Sequence, residues 1–252
     1  MLVPGNSAVR IRIAATGMTS GDVQKREGFW IWRIVPCSEG TGTVNAVGAG
    51  VSGSPIGQRV RCYGARACRP FGTTAGYASV SAMQAGPLPT GASFEQGACL
   101  SAPGIAACCT LQLATDLSGS MVFVPGTAGA VGACAVQAAH RMGARVIATC
   151  WAENRMDVAA ENGTDHVPLG DMLGSSVRAL APDGVDHVVE VAFGENIVLD
   201  LERLTTVARL LHMRRMRQRR SSVLGSAVKS VSILSRAATT CLLRRKQLLR
   251  VR

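Results

Sequence analysis

The chain has 252 residues, a length that suits one large α/β unit or two modest ones. Hydrophobic residues make up 47% of it and charged residues 17%, a balance that excludes wholesale disorder. Apolar runs stay shorter than about 18 residues, so we expect no transmembrane helix. The first eight residues lack the layout of a signal peptide. Nine cysteines, several of them in apolar stretches, predict buried thiols in a reducing, cytoplasmic setting.

The net charge of +11 belongs almost entirely to the C-terminal end. Thirteen of the 27 basic residues follow Thr206, and no acidic residue follows Glu202. The first 206 residues are therefore nearly neutral, with 14 basic and 16 acidic residues. Any function that requires a basic protein, such as nucleic-acid binding, has to reside in this tail.

The first hundred residues predict a small barrel-like β domain. Four segments alternate apolar and polar residues, and turns rich in glycine, serine and proline separate them. They lie at residues 9–13, 43–47, 59–63 and 76–80. A helix is expected to follow from Ser93, where Gln96 completes capping-box spacing, and Pro103 and Gly104 are expected to end it. A second apolar helix should run from Ile105 to about Leu113.

From Ser120 onward, strands alternate with helices of about ten residues, which predicts the parallel sheet of a dinucleotide-binding fold. The predicted strands are residues 121–124, 145–149, 166–168 and 185–191. The predicted helices follow the glycine-rich turn up to Met142 and cover residues 154–162 and 171–180.

The glycine-rich turn at residues 126–132 carries the clearest chemical signal. It follows an apolar strand and opens a helix, which is where a pyrophosphate meets helix amides. Gly129 would let the backbone approach the pyrophosphate, and Gly132 would allow close helix–strand contact. Thr127 takes the position of the first glycine, so the strict pattern is broken. The candidate cofactor contacts are Gly126, Thr127, Ala128, Gly129, Ala130, Val131 and Gly132.

The end of the next strand favours NADPH over NADH. An NAD site needs an acidic residue there for the ribose hydroxyls, and residues 149–151 offer none. Arg155 follows in the first turn of the next predicted helix, where a guanidinium suits a 2′-phosphate. A solvated surface arginine is the alternative reading of Arg155.

The order and spacing of several stretches resemble the zinc-independent quinone oxidoreductase branch of the medium-chain dehydrogenase/reductases, relatives of zeta-crystallin. The stretches are residues 9–28, 36–63, 69–80, 87–104, 124–149 and 181–196. The resemblance implies a GroES-like β domain at residues 1–110, followed by an incomplete Rossmann NADP-binding domain at residues 111–206. It also implies hydride transfer from NADPH to a quinone or related conjugated carbonyl, and it leaves a homodimer open.

The resemblance places Thr19, Ala106 and Cys108 in the substrate cleft, where the family carries asparagine, threonine, and tyrosine or histidine. All three positions have lost side-chain polarity or reach here. Tyr63 and Tyr77 remain as cleft candidates. No catalytic residue can therefore be assigned, and cofactor binding is better supported than turnover.

Zinc-bearing alcohol dehydrogenases are the natural competitor, and their ligands are missing. Their histidine ligand corresponds to Ser38, and their catalytic cysteine falls near Met18 and Thr19. Cys62 and Cys68 alone cannot close a tetrahedral site. Since none of the four histidines lies near a plausible ligand set, we predict no metal. The adjacent Cys108 and Cys109 are expected to pack in the core.

The ends of the chain depart from the family pattern. The first strand pair of the family is missing, and residues 207–252 form a basic tail with no clean helical or strand period. Suitable codons for residues 206–220, read one base earlier, spell the family's own continuation, and residues 236–246 shift in the same way. We therefore hypothesise that the tail is an out-of-frame translation, which resequencing the DNA would test. We expect this tail to be poorly packed and the parallel sheet to stop after its fourth strand.

Three functions compete at this level. The first is an NADPH-dependent quinone-reductase-like enzyme, and the second is non-catalytic NADPH binding. The third is non-specific, salt-sensitive nucleic-acid binding through the tail, which lacks the aromatic residues needed for base stacking.

Overall fold

A computed structural model describes most of the chain up to Glu190 and two segments after it. The described residues are 3–24, 34–53, 55–66, 69–114, 116–127, 129–149, 164, 173–190, 204–212 and 232–235. They belong to two compact units, and the boundary between these units falls between Ala102 and Pro103. The sequence placed this boundary at residues 110–111, eight residues further along the same helix.

The first unit contains one antiparallel sheet of five strands. Its strands are β1 (Ala8–Gly17), β2 (Glu39–Val47), β3 (Arg59–Cys62), β4 (Tyr77–Ser81) and β5 (Ala85–Pro87), in the order β4-β1-β2-β3-β5. A short helix, α1 (Ser20–Gln24), follows β1. All four alternating segments predicted from the sequence fall within these strands or overlap them.

Alternation explains how this sheet buries one face. Val9 and Ile11 are fully buried, whereas Arg12 between Ile11 and Ile13 is exposed. The inward residues of β1 meet Val44, Val60 and Val80 from the neighbouring strands in one core cluster. Each such fully buried side chain contributes about 1.5–3 kcal/mol, so the alternating pattern is enough to orient the sheet.

Helix α2 (Phe94–Leu111) confirms the predicted start and corrects the predicted end. The Ser93 amide donates to Gln96 Oε1 at 2.9 Å, and the Gln96 amide donates to Ser93 Oγ at 3.1 Å, which is a complete capping box. The helix does not stop at Pro103 but continues through it. The predictions of a break at Pro103 and of a separate second helix are therefore wrong.

A distant carboxylate supports the backbone of α2 where the proline interrupts it. Proline has no amide hydrogen and crowds the preceding turn, so the hydrogen-bond ladder is weakened there. Beside it, the Ala102 amide donates to a carboxylate oxygen of Glu39 at 2.7 Å. Glu39 lies 63 residues earlier in the chain, so no local pattern around Pro103 contains this information.

The second unit contains a parallel sheet of five described strands. They are β6 (Met121–Val124), β7 (Arg145–Ala148), β8 (Val185–Glu190), β9 (Leu204–His212) and β10 (Ser232–Ser235), in the order β10-β9-β8-β6-β7. Helices α3 (Ala130–Arg141) and α4 (Leu173–Leu180) complete the described elements. The predicted α/β class, a GroES-like domain with a Rossmann-type sheet, is confirmed. The predicted helix at 154–162 and strand at 166–168 lie outside the described residues.

Both faces of the parallel sheet are covered, as continuous apolar strands require. Val122 and Val124 point to a cluster that includes residues of α2 and α3. Phe123, between them in sequence, points to a second cluster with Val177 and Ala181 at α4. Successive residues of β6 thus pack on opposite faces of the parallel sheet.

Strands β9 and β10 correct the expectation for the C-terminal tail. β9 pairs in parallel with β8, for example Val188 with Leu210, and β10 pairs in parallel with β9. The described sheet therefore continues past its fourth strand, and residues 207–212 are part of it. The expectation failed because a strand inside a parallel sheet needs apolar residues and not alternation. Val207, Leu210 and Leu211 supply them. The hypothesis that the tail is an out-of-frame translation stays a prediction.

Candidate functional site

The glycine loop lies at the carboxyl end of β6. Strand β6 pairs with β7 on one side and β8 on the other, and α3 leads from β6 to β7. The strand order therefore reverses between β6 and β8, and parallel sheets bind ligands outside the carboxyl ends of their strands at such a point. The loop that connects β6 to α3 starts at this position.

Two glycines of the loop are required for different reasons. Gly126 has φ +70°, a left-handed conformation that glycine adopts without strain. A Cβ on Gly132 would lie 2.6 Å from the Gly126 carbonyl oxygen and 2.8 Å from Thr127 Cα. Gly132 thus packs against the loop itself. The close helix–strand contact that the sequence led us to expect at Gly132 stays a prediction. A Cβ on Gly129 would meet the same Gly126 oxygen at 3.2 Å.

Thr127, which replaces the first glycine of the motif, connects the loop to the end of β7. Its amide and its Oγ1 both donate to the Thr149 carbonyl oxygen, at 2.9 and 3.0 Å. In return, the Gly126 amide donates to Thr149 Oγ1 at 3.2 Å. Both threonines are buried. The threonine that replaces the first glycine of the motif therefore links the loop after β6 to the end of β7 by hydrogen bonds.

The first turn of α3 is open to an anion. Gly129 is the N-cap residue, and both Gly129 and Ala130 are exposed. The first amides of a helix have no partner within the helix, and the helix dipole adds partial positive charge. No acidic residue lies in this first turn. A glycine cradle and a free helix N-terminus together fit the pyrophosphate of a dinucleotide.

Six of the predicted cofactor contacts, Gly126, Thr127, Gly129, Ala130, Val131 and Gly132, come together in this loop and first turn. Ala128 and Arg155 lie outside the described residues. Thr149 is the last described residue at the end of β7, and its hydroxyl and carbonyl are both used by the loop. The assignment of the 2′-phosphate to Arg155 stays a prediction.

The substrate-cleft candidates in the first unit are held by contacts within that unit. Thr19 precedes α1, and both its amide and its hydroxyl donate to Asp22 Oδ2, at 3.1 and 2.8 Å. The Tyr63 hydroxyl donates to the Met83 carbonyl at 3.2 Å. Tyr77 is partly exposed, and the Arg10 guanidinium lies 5.5 Å from its ring centre. The proton of the Thr19 hydroxyl is therefore committed to Asp22.

Asp22 belongs to a buried group of charges that the sequence did not reveal. The Arg66 guanidinium lies 3.7 Å from Asp22 Oδ1, and the two side chains are 8% and 3% exposed. Burial raises the pKa of Glu39, the hydrogen bond from the Ala102 amide lowers it, and the charge of Asp22 raises it further. Burial also raises the pKa of the Cys62 thiol to about 12. A signal for Asp22 was available, because Thr19 and Asp22 have N-cap to N3 spacing.

Ala106 and Cys108 lie on α2 within the second unit. Ala106 is half-buried, and its carbonyl accepts a hydrogen bond from the Thr110 hydroxyl at 2.8 Å. Cys108 is exposed and Cys109 is half-buried, so the expectation that both pack in the core is wrong for Cys108. The general expectation of buried thiols holds for Cys37 and Cys62 but not for Cys99, which is also exposed. Two adjacent helix residues face different directions, and the buried stripe of α2 runs through Ala107 and Leu111, which leaves Cys108 exposed.

The segment that corresponds to a zinc-ligand region has an unusual backbone. Cys37, directly before Ser38, has φ +62° although it is not glycine, and its carbonyl accepts the Thr73 amide at 3.0 Å. Among the residues with described side chains, no group of three or more histidine, cysteine or acidic residues could hold a metal ion. The absence of a metal stays a prediction for the chain as a whole.

Sequence comparison assigns both units to dehydrogenase families. Residues 5–101 match the family described as alcohol dehydrogenase GroES-like domain, and residues 130–232 match the family described as zinc-binding dehydrogenase. The second match extends across β9 to the first residue of β10. The two matches together cover most of the chain and place it in the medium-chain dehydrogenase/reductase superfamily.

Curated relatives and a solved structure agree with this assignment. The chain is 28% identical to the quinone oxidoreductase of Rattus norvegicus over 82% of its length, and 30% identical to that of Mus musculus over 83%. It spans only 64% and 65% of these two proteins. A mycobacterial protein complexed with NADPH has the same fold, with a TM-score of 0.80 and 24% identity, over 94% of this chain and 75% of that one.

No helix within the described part of the chain combines the length and the hydropathy needed to cross a membrane.

Proposed function

We propose that the chain binds NADPH at the glycine loop and transfers a hydride to a quinone or related conjugated carbonyl. The observation that carries the proposal is the exposed N-terminus of α3 behind the glycine loop, at the point where the strand order of the sheet reverses. The NADPH complex of the mycobacterial neighbour supports the cofactor. The quinone oxidoreductases among the curated relatives support the class of acceptor.

The chain's own residues serve binding and orientation. When bound, NADPH supplies the hydride. The amides of Ala130 and Val131, in the first turn of α3, would hold the pyrophosphate, and Gly129 leaves room for it to approach the backbone. The contacts between Thr127 and Thr149 keep the loop in one conformation before the cofactor arrives, which lowers the ordering cost of binding.

Cofactor choice is tested at Arg155. Arg155→Glu should weaken NADPH binding by about tenfold or more, because a charge-assisted contact of about 1.5–3 kcal/mol is replaced by repulsion. NADH binding should change far less. Arg141→Glu is the matched control, because Arg141 is exposed in the last turn of α3, at the end opposite the glycine loop. Fluorescence titration of each variant with both nucleotides measures the ratio. Equal weakening of NADPH and NADH would contradict a contact to the 2′-phosphate.

Non-catalytic binding of NADPH is the second candidate function. The Thr19 proton is committed to Asp22, and the Tyr63 hydroxyl donates to a backbone carbonyl. Neither hydroxyl is therefore free to donate to an acceptor carbonyl without giving up an internal hydrogen bond. NADPH binding together with no quinone-dependent NADPH oxidation would favour this candidate. Oxidation at a rate that saturates with quinone would favour the enzyme.

A further inference from the structure

The antiparallel sheet of the first unit has one face outside its core. Val9 and Ile11 of β1 and Val60 of β3 point into the core cluster. Successive residues of a strand point to opposite sides, so the residues that alternate with these valines and isoleucines lie on the other face, here called the outer face. Its members, all exposed or half-buried, include Arg10, Arg12, Thr43, Arg59, Arg61 and Tyr77.

Strand pairing brings four arginines together on the outer face. Arg12 of β1 pairs with Thr43 of β2, and Thr43 pairs with Arg59 of β3, so the two arginines share one row across the sheet. Two strand spacings of about 4.8 Å place their Cα atoms roughly 10 Å apart. Arg10 lies two residues before Arg12, and Arg61 two residues after Arg59, each about 7 Å along its own strand.

Few carboxylates are available to balance this charge. Within the five described strands of the sheet, Glu39 is the single acidic residue, and it is buried. Glu95 follows at the start of α2, where its carboxylate accepts hydrogen bonds from its own backbone amide and from the Ser93 side chain, which lower its pKa. A negatively charged partner would therefore supply a countercharge that these strands do not provide.

Two of the arginines are oriented by neutral groups. Arg10 Nε donates to Asn45 Oδ1 at 2.9 Å, and Arg59 Nη2 donates to the Ala92 carbonyl oxygen at 2.7 Å. Contacts of this kind fix the direction of a guanidinium without adding a negative charge beside it. Each guanidinium carries five N–H donors, so further donors remain for a ligand.

We propose that the outer face binds an acidic polypeptide segment in an extended conformation, with carboxylates paired to the four arginines. The planar guanidinium presents a fork of donors that matches a carboxylate. In an extended peptide, side chains two residues apart lie on one face about 7 Å from each other, which is the spacing of Arg10 and Arg12. This proposal goes beyond the oxidoreductase function and does not depend on a bound nicotinamide.

The aromatic rings beside the arginines favour a polypeptide over a single-stranded nucleic acid. Proteins that bind single strands stack bases on open aromatic side chains. Here the Arg10 guanidinium lies over the Tyr77 ring, 5.5 Å from its centre, and the Arg59 guanidinium lies 4.5 Å from the centre of the Phe94 ring. Each ring thus already has an arginine over one side, and a nucleic acid would be held mainly through its phosphates.

Fluorescence anisotropy with the full chain and a labelled peptide of alternating glutamate and threonine tests the proposal. The glutamates lie on one face of the extended peptide, and threonine favours that conformation. The control ligand has glutamine in place of glutamate. We expect the glutamate peptide to bind, more weakly as salt is added because exposed charges are screened, and the glutamine peptide not to bind. Equal binding of both peptides, or binding of neither, would overturn the proposal.

Matched substitutions separate the outer face from the basic tail. Arg12→Gln together with Arg59→Gln should weaken peptide binding about tenfold, roughly threefold for each exposed pair. Arg219→Gln together with Arg220→Gln removes the same charge from the tail and should change the affinity less than about twofold. Equal losses in the two double variants would assign the binding to the tail and refute the proposal. Arg12→Gln alone keeps the Arg59 contacts intact, and an unchanged affinity in this variant would also count against the outer face.

A labelled oligothymidylate distinguishes the other class of polyanion. If its affinity falls only in the tail variant, the outer face is selective for the acidic peptide, as proposed. If it binds more tightly than the peptide and loses affinity in Arg12→Gln with Arg59→Gln, the outer face is a nucleic-acid surface and the proposal is wrong. Circular dichroism of each variant shows that it is folded.

Discussion

Thr127→Val removes one hydroxyl from the glycine loop and keeps the branched shape of the side chain. The hydroxyl donates to the Thr149 carbonyl at 3.0 Å, but the Thr127 amide donates to the same oxygen at 2.9 Å. The carbonyl therefore keeps a partner, and no buried polar group is left unsatisfied. The expected loss is that of one net hydrogen bond, about 0.5–1.5 kcal/mol of unfolding free energy.

Thr149→Val should cost more than Thr127→Val although it also removes one hydroxyl. Thr149 Oγ1 accepts the Gly126 amide at 3.2 Å, so the valine leaves a backbone donor without its partner. Such a loss costs about 1–3 kcal/mol when the group is buried. Because Gly126 is half-buried, water can reach it in part, and we expect the lower half of this range.

The assay combines urea unfolding with NADPH titration. Thr127→Ser retains the hydroxyl and is the control. If the loop must be held in its binding conformation, a loss of about 1 kcal/mol corresponds to roughly fivefold weaker NADPH binding for Thr127→Val. Thr127→Val and Thr127→Ser with the same stability and affinity would refute the role of the hydroxyl. A smaller effect of Thr149→Val than of Thr127→Val would refute the argument from the unsatisfied amide.

Three further predictions concern the loop, the buried carboxylate and the sheet. Gly132→Ala should reduce NADPH binding by about tenfold or more, because its Cβ would lie 2.6 Å from the Gly126 carbonyl oxygen. The Cβ of Gly126→Ala would meet no atom within 4 Å, so this variant should cost only about 1–2 kcal/mol of backbone strain. Equal NADPH affinities of the two variants in titrations would contradict this difference. Glu39→Gln should gain stability relative to the parent as the pH rises above about 4. The pKa of Glu39 is raised in the folded chain, so the unfolded chain loses the carboxyl proton at a lower pH than the folded chain does. Between these two pKa values the parent loses stability as the pH rises, whereas Glu39→Gln has no proton to lose. Urea unfolding across the acidic range would show this gain, and a constant difference would be evidence against it. A chain ending at Thr206 should unfold in less urea than one ending at His212, because β9 then no longer covers the edge of β8; identical midpoints would show that β9 adds no stability.

Local patterns in the sequence were sufficient for the elements whose causes lie within a few residues. Period-two alternation predicted β1, and a continuous apolar run predicted β6 to the residue. The Ser93–Gln96 spacing predicted the capping box at the start of α2. The glycine loop was predictable in the same way, because its glycines are required by the backbone conformation of the loop and by close contacts within it.

The remaining features depend on residues that are distant in sequence. Helix α2 continues through Pro103 where Glu39, 63 residues earlier, supplies an acceptor for the Ala102 amide. The hydroxyl of Thr127 became part of the site through Thr149, 22 residues later, at the end of a neighbouring strand. β9 is a strand because β8 and β10 lie on either side of it. A sequence lists donors, acceptors and apolar side chains, but only the folded backbone determines which distant groups come within hydrogen-bonding distance, and those pairings set where α2 ends, how the loop is held and how far the sheet extends.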